Sequence, residues 1–307
     1  MIVSLGEALI DLIHSPDAAE PKALAGGSPY NVAIALSRLG VKTGFVCPFS
    51  TDQYGKQLIR ILDDNKVQRC VEALVDAPTA IAEVFTNADG HPRYVFHREH
   101  TADRALSQRP PSEAIPSSTR ALHFGSLVLA QEEDWTLWRQ AIITARDHGA
   151  FIAFDPNLRP ALIDDIERHR ARVEDAVSLA HLVKASDEDL SLLNPSCSPA
   201  EQIQRWRSPN RSVVLTEGAK GAQIWTRAGH HSTYKEISST PIVDTVGAGD
   251  TFQAALLAWL WRRDDFESDL TEEEAQHLLI FASKAAFLNC TRAGCQPPML
   301  DDVVAIT

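Results

Sequence analysis

The residues that most clearly suggest chemistry lie at 244–252, which read Asp-Thr-Val-Gly-Ala-Gly-Asp-Thr-Phe. Gly247, Ala248 and Gly249 are small enough for a ligand to approach the main chain, and a strong helical pattern follows them. A helix N-terminus has unpaired N–H groups and a partial positive charge, and both favour an anion. We therefore predict an anion hole at residues 247–249, suited to the charge of a phosphoryl group in transfer.

Asp250 lies at the start of the same predicted helix. A carboxylate at this position can accept the proton of an attacking hydroxyl group as a general base. Aspartate is also a common N-cap residue, and position 250 alone does not separate the two roles. The whole string Gly-Ala-Gly-Asp-Thr favours the catalytic role, because it should occur by chance in roughly one chain of this length in a few thousand.

A second glycine cluster, Gly-Gly-Ser-Pro-Tyr-Asn at 26–31, precedes another predicted helix that ends at Gly40. Gly27 allows a ligand to contact the backbone, and the Asn31 amide can both donate to and accept from hydroxyl groups. The same pattern also suits an ordinary turn between a strand and a helix.

The two glycine-rich turns must be positioned by regular secondary structure. The sequence indicates such structure, because short apolar runs alternate with longer helical patterns. Buried strands that alternate with helices predict a three-layer α/β/α fold with a mainly parallel central sheet. The predicted strands cover 2–5, 43–47, 122–124, 151–154, 182–184, 213–216 and 222–225. The predicted helices cover 31–39, 54–64, 132–148, 164–178, about 249–261 and about 272–288.

Two extended runs, at 79–85 and 93–99, interrupt this alternation. The sequence Asn-Ala-Asp-Gly at 87–90 joins them and suits a tight turn. An isolated hairpin is only marginally stable, so it must pack on other parts of the protein, as an edge hairpin of the main sheet or as a lid. We predict a single α/β domain over residues 1–307 with a small inserted β lid at about 12–25 and 79–100.

The composition excludes several classes of partner. The 307 residues are 44% hydrophobic and 23% charged, with a formal net charge of -12. Nucleic acids and anionic membrane surfaces both need a basic face, so neither is expected as a partner. The sequence has no apolar run of membrane-spanning length, no signal-peptide pattern at its start, and five cysteines without a Cys-x-x-Cys pair. We therefore expect a cytoplasmic protein without a disulfide framework or a zinc site.

The two glycine motifs, in this order and at this separation, resemble those of the ribokinase-like (PfkB) carbohydrate kinases. The resemblance covers nearly the whole chain. Further segments match in order: Gly-Glu-Ala-Leu-Ile-Asp at 6–11, Asp-x-x-Gly at 52–55, Thr-x-Gly-x-x-Gly at 216–221 and Cys-Thr-Arg-Ala-Gly-Cys at 290–295. The first of these resembles the family's first strand, which ends in an aspartate that binds sugar hydroxyl groups. The sequence has no Walker-type P-loop, so the phosphates must be held in another way.

The resemblance implies an ATP-dependent sugar kinase and gives roles to the residues of these motifs. Asp250 would be the base, and Gly247, Ala248 and Gly249 would form the anion hole. The implied sugar ligands are Asp11, Gly27, Asn31, Arg98 and Arg159. The implied nucleotide ligands are Lys184, Ser186, Thr216, Gly218, Gly221 and Gly249. The implied metal ligands are Asp189 for Mg²⁺, through water, and Asp244 and the Val246 carbonyl group for K⁺.

Two motifs depart from the family pattern. The family's Asn-x-x-Glu, which positions the Mg²⁺ waters, reads Ser-Asp-Glu-Asp here, with Ser186 in place of Asn and the shorter Asp189 in place of Glu. These acids would equally suit the start of a helix. The sugar loop reads Gly-Gly-Ser-Pro at 26–29 rather than the Gly-Gly-Lys-Gly of ribokinases, and it looks more like that of fructokinases.

The string Asp-Pro-Asn-Leu-Arg-Pro at 155–160 bears on the choice of sugar, because it follows a predicted strand where parallel sheets bind ligands. Arg159 offers a planar fork of donors for vicinal hydroxyl groups, a carboxylate or a phosphate, although a surface ion pair is the simpler interpretation. The string resembles the Asp-x-Asn-x-Arg of fructokinases and of 2-keto-3-deoxygluconate kinases, and the segment around Arg98 is similar to the lid-proximal segment of both. The matches at 6–11 and 290–294 favour fructose.

The alternative substrates are 2-keto-3-deoxygluconate, whose carboxylate an arginine would bind, and another sugar or a nucleoside. Lid hairpins often pair between subunits in this family, so the resemblance also suggests a homodimer through the lid.

Overall fold

The computed structural model describes residues 1–15, 20–86, 92–108 and 110–306. The predicted turn at 87–90 lies outside these ranges. In chain order the strands are β1 (Ile2–Leu5), β2 (Leu9–His14), β3 (Lys22–Gly26), β4 (Thr43–Val46), β5 (Gln68–Arg69), β6 (Ala80–Thr86), β7 (Pro92–His97), β8 (Ala121–Gly125), β9 (Phe151–Asp155), β10 (Leu182–Ser186), β11 (Ser212–Thr216), β12 (Ala222–Trp225) and β13 (His231–Tyr234). The helices are α1 (Ser28–Arg38), α2 (Gln53–Asp64), α3 (Glu132–Asp147), α4 (Ile166–Leu179), α5 (Asp187–Leu193), α6 (Pro199–Trp206), α7 (Ala248–Arg263), α8 (Glu272–Cys290) and α9 (Leu300–Val304).

The central sheet has the strand order β13-β12-β11-β10-β9-β8-β1-β4-β5. The pairs from β11 to β5 are parallel, and β12 and β13 add an antiparallel edge. One buried hydrophobic cluster joins one face of this sheet to α3, α4 and α6, and a second joins the other face to α1, α7 and α8. This arrangement confirms the predicted three-layer α/β/α fold with a mainly parallel sheet.

A separate four-stranded sheet has the order β3-β2-β6-β7. In its register Asp11 pairs with Ala82, and Ala82 pairs with Phe96, so these three side chains share one face. The strands of this sheet fall close to the predicted lid ranges, 12–25 and 79–100. Its movement as a lid, and the division of the chain into one domain and an insert, stay predictions.

The segment at 6–11 differs from the prediction. It is not the end of the first strand, because β1 ends at Leu5 and Asp11 lies inside β2 of the small sheet. Between the two strands Gly6 has a φ of 142°, and a Cβ atom there would lie 2.5 Å from Pro29 Cγ. The chain therefore leaves the central sheet at a glycine that passes tightly against the start of α1.

Some boundaries also differ. Helix α1 begins at Ser28, three residues earlier than predicted, and includes Pro29. Proline is tolerated in the first turn of a helix, where its missing N–H group would have no partner. Among the helices of the described ranges, none is both long and apolar enough to cross a membrane.

Candidate active site

The turn that begins α7 contains open main-chain donors. Gly247 has a left-handed φ of 75°, and a Cβ atom there would lie 2.3 Å from Cys295 Sγ, so the position requires glycine. The Ala248 N–H group donates to the Thr245 carbonyl group at 3.1 Å. Within the described ranges, the N–H groups of Gly247, Gly249 and Asp250 have no acceptor. The open donors at the predicted anion hole are therefore those of residues 247, 249 and 250, while that of Ala248 is used within the turn.

The Asp250 carboxylate joins the two glycine motifs, which are far apart in sequence. Its Oδ1 accepts from Ser28 Oγ at 2.6 Å and from Asn157 Nδ2 at 3.3 Å. Its Oδ2 accepts from Asn31 Nδ2 at 2.8 Å. Asp250 is only 6% exposed, so it is a buried carboxylate held by neutral donors. The structure thus brings Asp250 and Asn31 together, as the prediction of a shared site requires.

A buried ion pair lies beside the α7 turn. Lys184 Nζ, from the middle of β10, is 2.8 Å from Asp155 Oδ2 at the end of β9. A Cβ atom at Gly249 would lie 3.2 Å from this ammonium group. Burial lowers the pKa of Lys184, but Asp155, Asp189 and Asp250 outweigh it and the pKa is raised overall. The ammonium group is therefore charged and lies against the open N–H groups.

The sugar side of the site is formed by the small sheet. Burial raises the pKa of Asp11 to about 6, against an opposing effect of Arg159 and with a smaller upward effect of Asp250. Arg159 and Asp250 are therefore close enough to Asp11 to act on its charge, and the three groups belong to the same part of the site. A Cβ atom at Gly26 would lie 2.2 Å from Asp11 Oδ2, and one at Gly27, whose φ is 107°, would lie 2.7 Å from a backbone oxygen. Both glycines are needed for this close approach.

The two predicted arginine ligands differ in their surroundings. Arg159 NH1 donates to the Asn157 side chain at 2.6 Å and to the carbonyl groups of Asn157 and Leu158. Its Nε and NH2 groups have no partner among the residues that the structure describes. Arg98 is 7% exposed, and its guanidinium group pairs with Asp103 at 2.7 Å and with Asp134 at 3.4 Å. Arg98 is thus held inside the protein, without a described contact to the other predicted sugar ligands, so its role stays a prediction that this geometry does not support.

Four of the predicted nucleotide residues lie at or just beyond the carboxyl ends of β10 and β11 in the central sheet. Ser186 and Thr216 are register partners at the ends of β10 and β11, next to the end of β9. Gly218 and Gly221 have φ values of 52° and 109°, and a Cβ atom at Gly221 would lie 2.2 Å from the Tyr234 carbonyl oxygen. The loop from Thr216 to Gly221 therefore follows the carboxyl end of a strand, where α/β sheets bind ligands.

The predicted metal ligands already accept hydrogen bonds. Asp189 Oδ1 accepts from the Leu158 N–H group at 2.8 Å, and its Oδ2 accepts from Ser186 Oγ at 2.7 Å in a capping box. Asp244 Oδ2 accepts from the Gly294 N–H group at 2.8 Å, and the Val246 carbonyl group accepts from an asparagine side chain at 2.7 Å.

Within the described ranges, no group of three or more His, Cys, Asp or Glu residues could hold a metal ion. Asp155 Oδ1, in contrast, is buried without a described partner. These residues fit a Mg²⁺ ion held mainly by phosphates and water, with protein carboxylates accepting from its waters.

Three residues of the site were not assigned from the sequence. Ser28 and Asn157 lie inside two of the sequence motifs described above. The motifs indicated the right segments but did not predict the contacts of these side chains with Asp250. Tyr94 lies on β7, where burial raises the pKa of its phenol group, with Asp11 adding to the effect and Arg159 opposing it. The phenol group thus belongs to the same part of the site, but the alternating pattern at 93–99 does not single it out.

The chain is similar to known proteins over nearly its whole length. The model of the pfkB family carbohydrate kinases matches residues 1–302. Fructokinase-2 of Solanum lycopersicum is 32% identical over 318 residues, which cover 100% of this chain and 95% of that protein. Fructokinase from Xylella fastidiosa, solved with bound ATP, has a TM-score of 0.86 and 27% identity, with coverage of 99% of this chain and 97% of that one. A double mutant of the fructokinase from Vibrio cholerae O395, in a fructose, ADP and potassium ion bound form, has a TM-score of 0.84 and 27% identity, with the same coverage.

Proposed function

The chain belongs to the pfkB family of carbohydrate kinases, and from this premise we propose that it transfers the γ-phosphate of ATP to a terminal hydroxyl group of fructose. One observation supports the proposal above the others. The Asp250 carboxylate lies at the N-terminus of α7, contacts the predicted sugar residue Asn31 at 2.8 Å, and adjoins the open N–H groups of that helix. A proton acceptor and an anion site thus share one position.

In the proposed reaction, separate groups of residues bind the sugar, accept its proton and stabilise the phosphoryl group. Asp11 and Asn31 bind sugar hydroxyl groups, and the small sheet covers the sugar and excludes water. Asp250 accepts the proton of the attacking hydroxyl group. The N–H groups of Gly249 and Asp250, together with the Lys184 ammonium group, stabilise the charge of the transferring phosphoryl group.

The nucleotide and the metal ions are proposed on the same basis. The relative from Xylella fastidiosa binds ATP, and the double mutant from Vibrio cholerae binds potassium with fructose and ADP. In this chain the loop from Thr216 to Gly221 would hold the nucleotide. Asp189 and Asp155 would accept from the waters of Mg²⁺, and Asp244 with the Val246 carbonyl group would hold K⁺. Bound Mg²⁺ would neutralise phosphate charge.

Arg98 and Asp11 favour a neutral sugar over 2-keto-3-deoxygluconate. A sugar carboxylate is best bound by a free guanidinium fork. Arg98 offers no such fork, because it is already paired with two carboxylates, so the carboxylate would have to bind the Nε and NH2 groups of Arg159. Asp11 also lies beside Arg159 and would repel a second carboxylate. Fructose, which has no charge, avoids both problems.

The test is a coupled assay of ADP release with fructose, ribose, 2-keto-3-deoxygluconate, tagatose and adenosine. We expect fructose to give the highest kcat/KM, by at least about tenfold over the other compounds, because each buried polar group of the site left without its hydroxyl partner costs about 1–3 kcal/mol. A higher value for 2-keto-3-deoxygluconate or adenosine would overturn the choice of fructose. No sugar-dependent ADP release from any of the five would overturn the proposal as a whole.

We also propose the homodimer through the small sheet. Phe85 and Val95 lie on the opposite face from Asp11 and are only partly buried, so a second copy would cover apolar surface there. Sedimentation velocity of the purified chain tests this directly, and a monomer at micromolar concentration would contradict it.

A further inference from the structure

The two oxygens of the Asp250 carboxylate have different hydrogen-bond partners. This difference indicates a role for Ser28, a residue to which the family resemblance gave none. We propose that Ser28 is a positioning residue that fixes Asp250 Oδ1, so that Oδ2 accepts the proton of the sugar, and that Asn157 and Arg159 hold Ser28 in that role. This inference rests on the proposed kinase activity and concerns only how its base is oriented.

The hydrogen bonds form a directed chain of four side chains. Arg159 has only donors, and its NH1 group lies 2.6 Å from Asn157 Oδ1. That contact fixes the amide of Asn157, so its Nδ2 group must be the one that donates to Ser28 Oγ at 2.7 Å. Because the Ser28 oxygen accepts from Asn157, its own hydrogen is free to donate to Asp250 Oδ1 at 2.6 Å.

The surroundings leave few alternatives to this chain. Ser28 is 4% exposed, so bulk water cannot easily replace its hydroxyl group. Its N–H group donates to Glu7 Oε1 at 3.2 Å, which ties the first residue of α1 to the turn after β1. Asn157 has a φ of 40°, the left-handed conformation that asparagine tolerates better than most residues. A strained backbone at a site of this kind indicates that the orientation of its side chain is required.

The chain has a consequence for the reaction. Oδ1 accepts from Ser28 and Asn157, whereas among the described residues Oδ2 accepts from Asn31 alone. Oδ2 therefore has the free acceptor capacity for a sugar hydroxyl group. In the transfer the sugar O–H bond breaks and its proton goes to Oδ2, while a bond forms between the sugar oxygen and the γ-phosphorus. The bond between that phosphorus and the bridging oxygen of ATP breaks, and ADP leaves. Ser28 keeps its proton throughout.

Kinetics of Ser28→Ala test the proposal. We expect kcat to fall about 10- to 100-fold, as when one preorganised hydrogen-bond donor is removed, while the KM for fructose changes less than about threefold. Ser28→Thr restores a hydroxyl group and should recover most of the loss. Ser232→Ala is the matched control, because Ser232 is also buried, at 6% exposure, but lies on β13 at the far edge of the sheet. It should leave kcat unchanged.

A double-mutant cycle separates positioning from mere structural support. If Ser28 acts through Asp250, then adding Ser28→Ala to Asp250→Asn should lower the residual kcat by less than about twofold, because coupled residues are not additive. An equal loss from Ser28→Ala in both backgrounds would overturn the inference, as would a loss that Ser28→Thr does not recover. Near-normal turnover by Asp250→Asn alone would instead overturn the assignment of the base, so the two failures are distinguishable.

Discussion

At the scale of single side chains, two carboxyl groups near the predicted sugar position have pKa values well above the ordinary range. Burial raises the pKa of Glu7 to about 7 and that of Asp11 to about 6. Neither group gains a full compensating ion pair, although Arg159 acts on both and Arg98 acts on Glu7. Both groups should therefore change their ionisation near neutral pH. For Asp11 the change should appear in the KM for fructose, and for Glu7 it should appear in the free energy of unfolding.

For Asp11 we expect the KM for fructose to rise as the pH falls below about 6, because a protonated carboxyl group loses acceptor capacity toward sugar hydroxyl groups. Arg159, Asp250 and Tyr94 belong to the same part of the site, so the Asp11→Asn variant is needed to identify the group. Its KM should be higher and flat over the same range. A wild-type KM that stays constant from about pH 8 to about pH 5 would contradict a role for the Asp11 carboxylate in binding.

For Glu7 the prediction concerns the free energy of unfolding. The pKa is raised from 4.5 to about 7 in the folded protein, so the folded state binds more protons than the unfolded state within this window. Its contribution to stability is therefore present at low pH and decreases as the pH rises from about 4.5 to about 7, by about 3 kcal/mol.

Glu7→Gln keeps an acceptor for the Ser28 N–H group but cannot ionise. Relative to the wild type, this variant should gain about 3 kcal/mol between about pH 4.5 and about pH 8 in urea unfolding. Arg98, Arg159 and Cys47 face Glu7 and remain in both proteins, so the difference isolates residue 7. A difference that does not change with pH would refute the buried charge.

At the scale of secondary-structure elements, the start of α7 depends on the backbone conformation of one residue, Gly247. Gly247→Ala would place a Cβ atom 2.3 Å from Cys295 Sγ at a φ of 75°. We expect kcat to fall by at least about 100-fold, because the turn that presents the N–H groups of Gly249 and Asp250 must shift.

Gly229→Ala is the control for Gly247→Ala, since Gly229 has a φ of 91° and no described heavy atom would lie within 4 Å of the added Cβ atom. It should lose about 1 kcal/mol of stability from the left-handed backbone alone and keep full activity. Steady-state kinetics and thermal unfolding of both variants are the measurements. Equal activity in the two would show that the α7 turn is not part of the catalytic machinery.

Much of the arrangement of elements could be predicted, because it depends on local patterns. Buried runs such as 151–154 and amphipathic stretches such as 132–148 became β9 and α3 almost as expected. The segment at 6–11 was expected to resemble the family's first strand, yet Asp11 lies in β2 of the small sheet. A short apolar run does not say which sheet a strand joins.

The site itself could be predicted only in part. The contact between Ser28 and Asp250 spans 222 residues of sequence, and no local pattern states such a distance. Arg98 was predicted to bind sugar because of its neighbours in sequence, yet the fold surrounds it with Asp103 and Asp134. Donor chemistry can be read from residue type, but whether a donor is free depends on tertiary contacts.

At the scale of the whole molecule, the small sheet packs against the central part of the protein at one of its ends more closely than at the other. Leu9, Ala80 and Ala82 of the small sheet pack with Leu127, which follows β8 of the central sheet. At the other end of the small sheet Tyr94 is 40% exposed. The small sheet is thus anchored at one end and open at the other, where the sugar would enter.

We therefore expect fructose to slow amide hydrogen exchange in β6 and β7, because these two strands close over the ligand. The amides of β10 and β11, which are interior strands of the central sheet, should exchange at the same slow rate with and without fructose. Exchange followed by mass spectrometry at saturating fructose measures both. Unchanged exchange in β6 and β7, with fructose bound, would argue against a lid.

The most direct measurement for the whole interpretation is the turnover of Asp250→Asn, with sugar binding followed by calorimetry. The variant keeps the size and polarity of the side chain but removes the proton acceptor. We predict that kcat falls by about 1,000-fold or more while the Kd for fructose changes less than about fivefold. Turnover within about tenfold of the wild type, with fructose binding intact, would contradict the central claim that this carboxylate is the base.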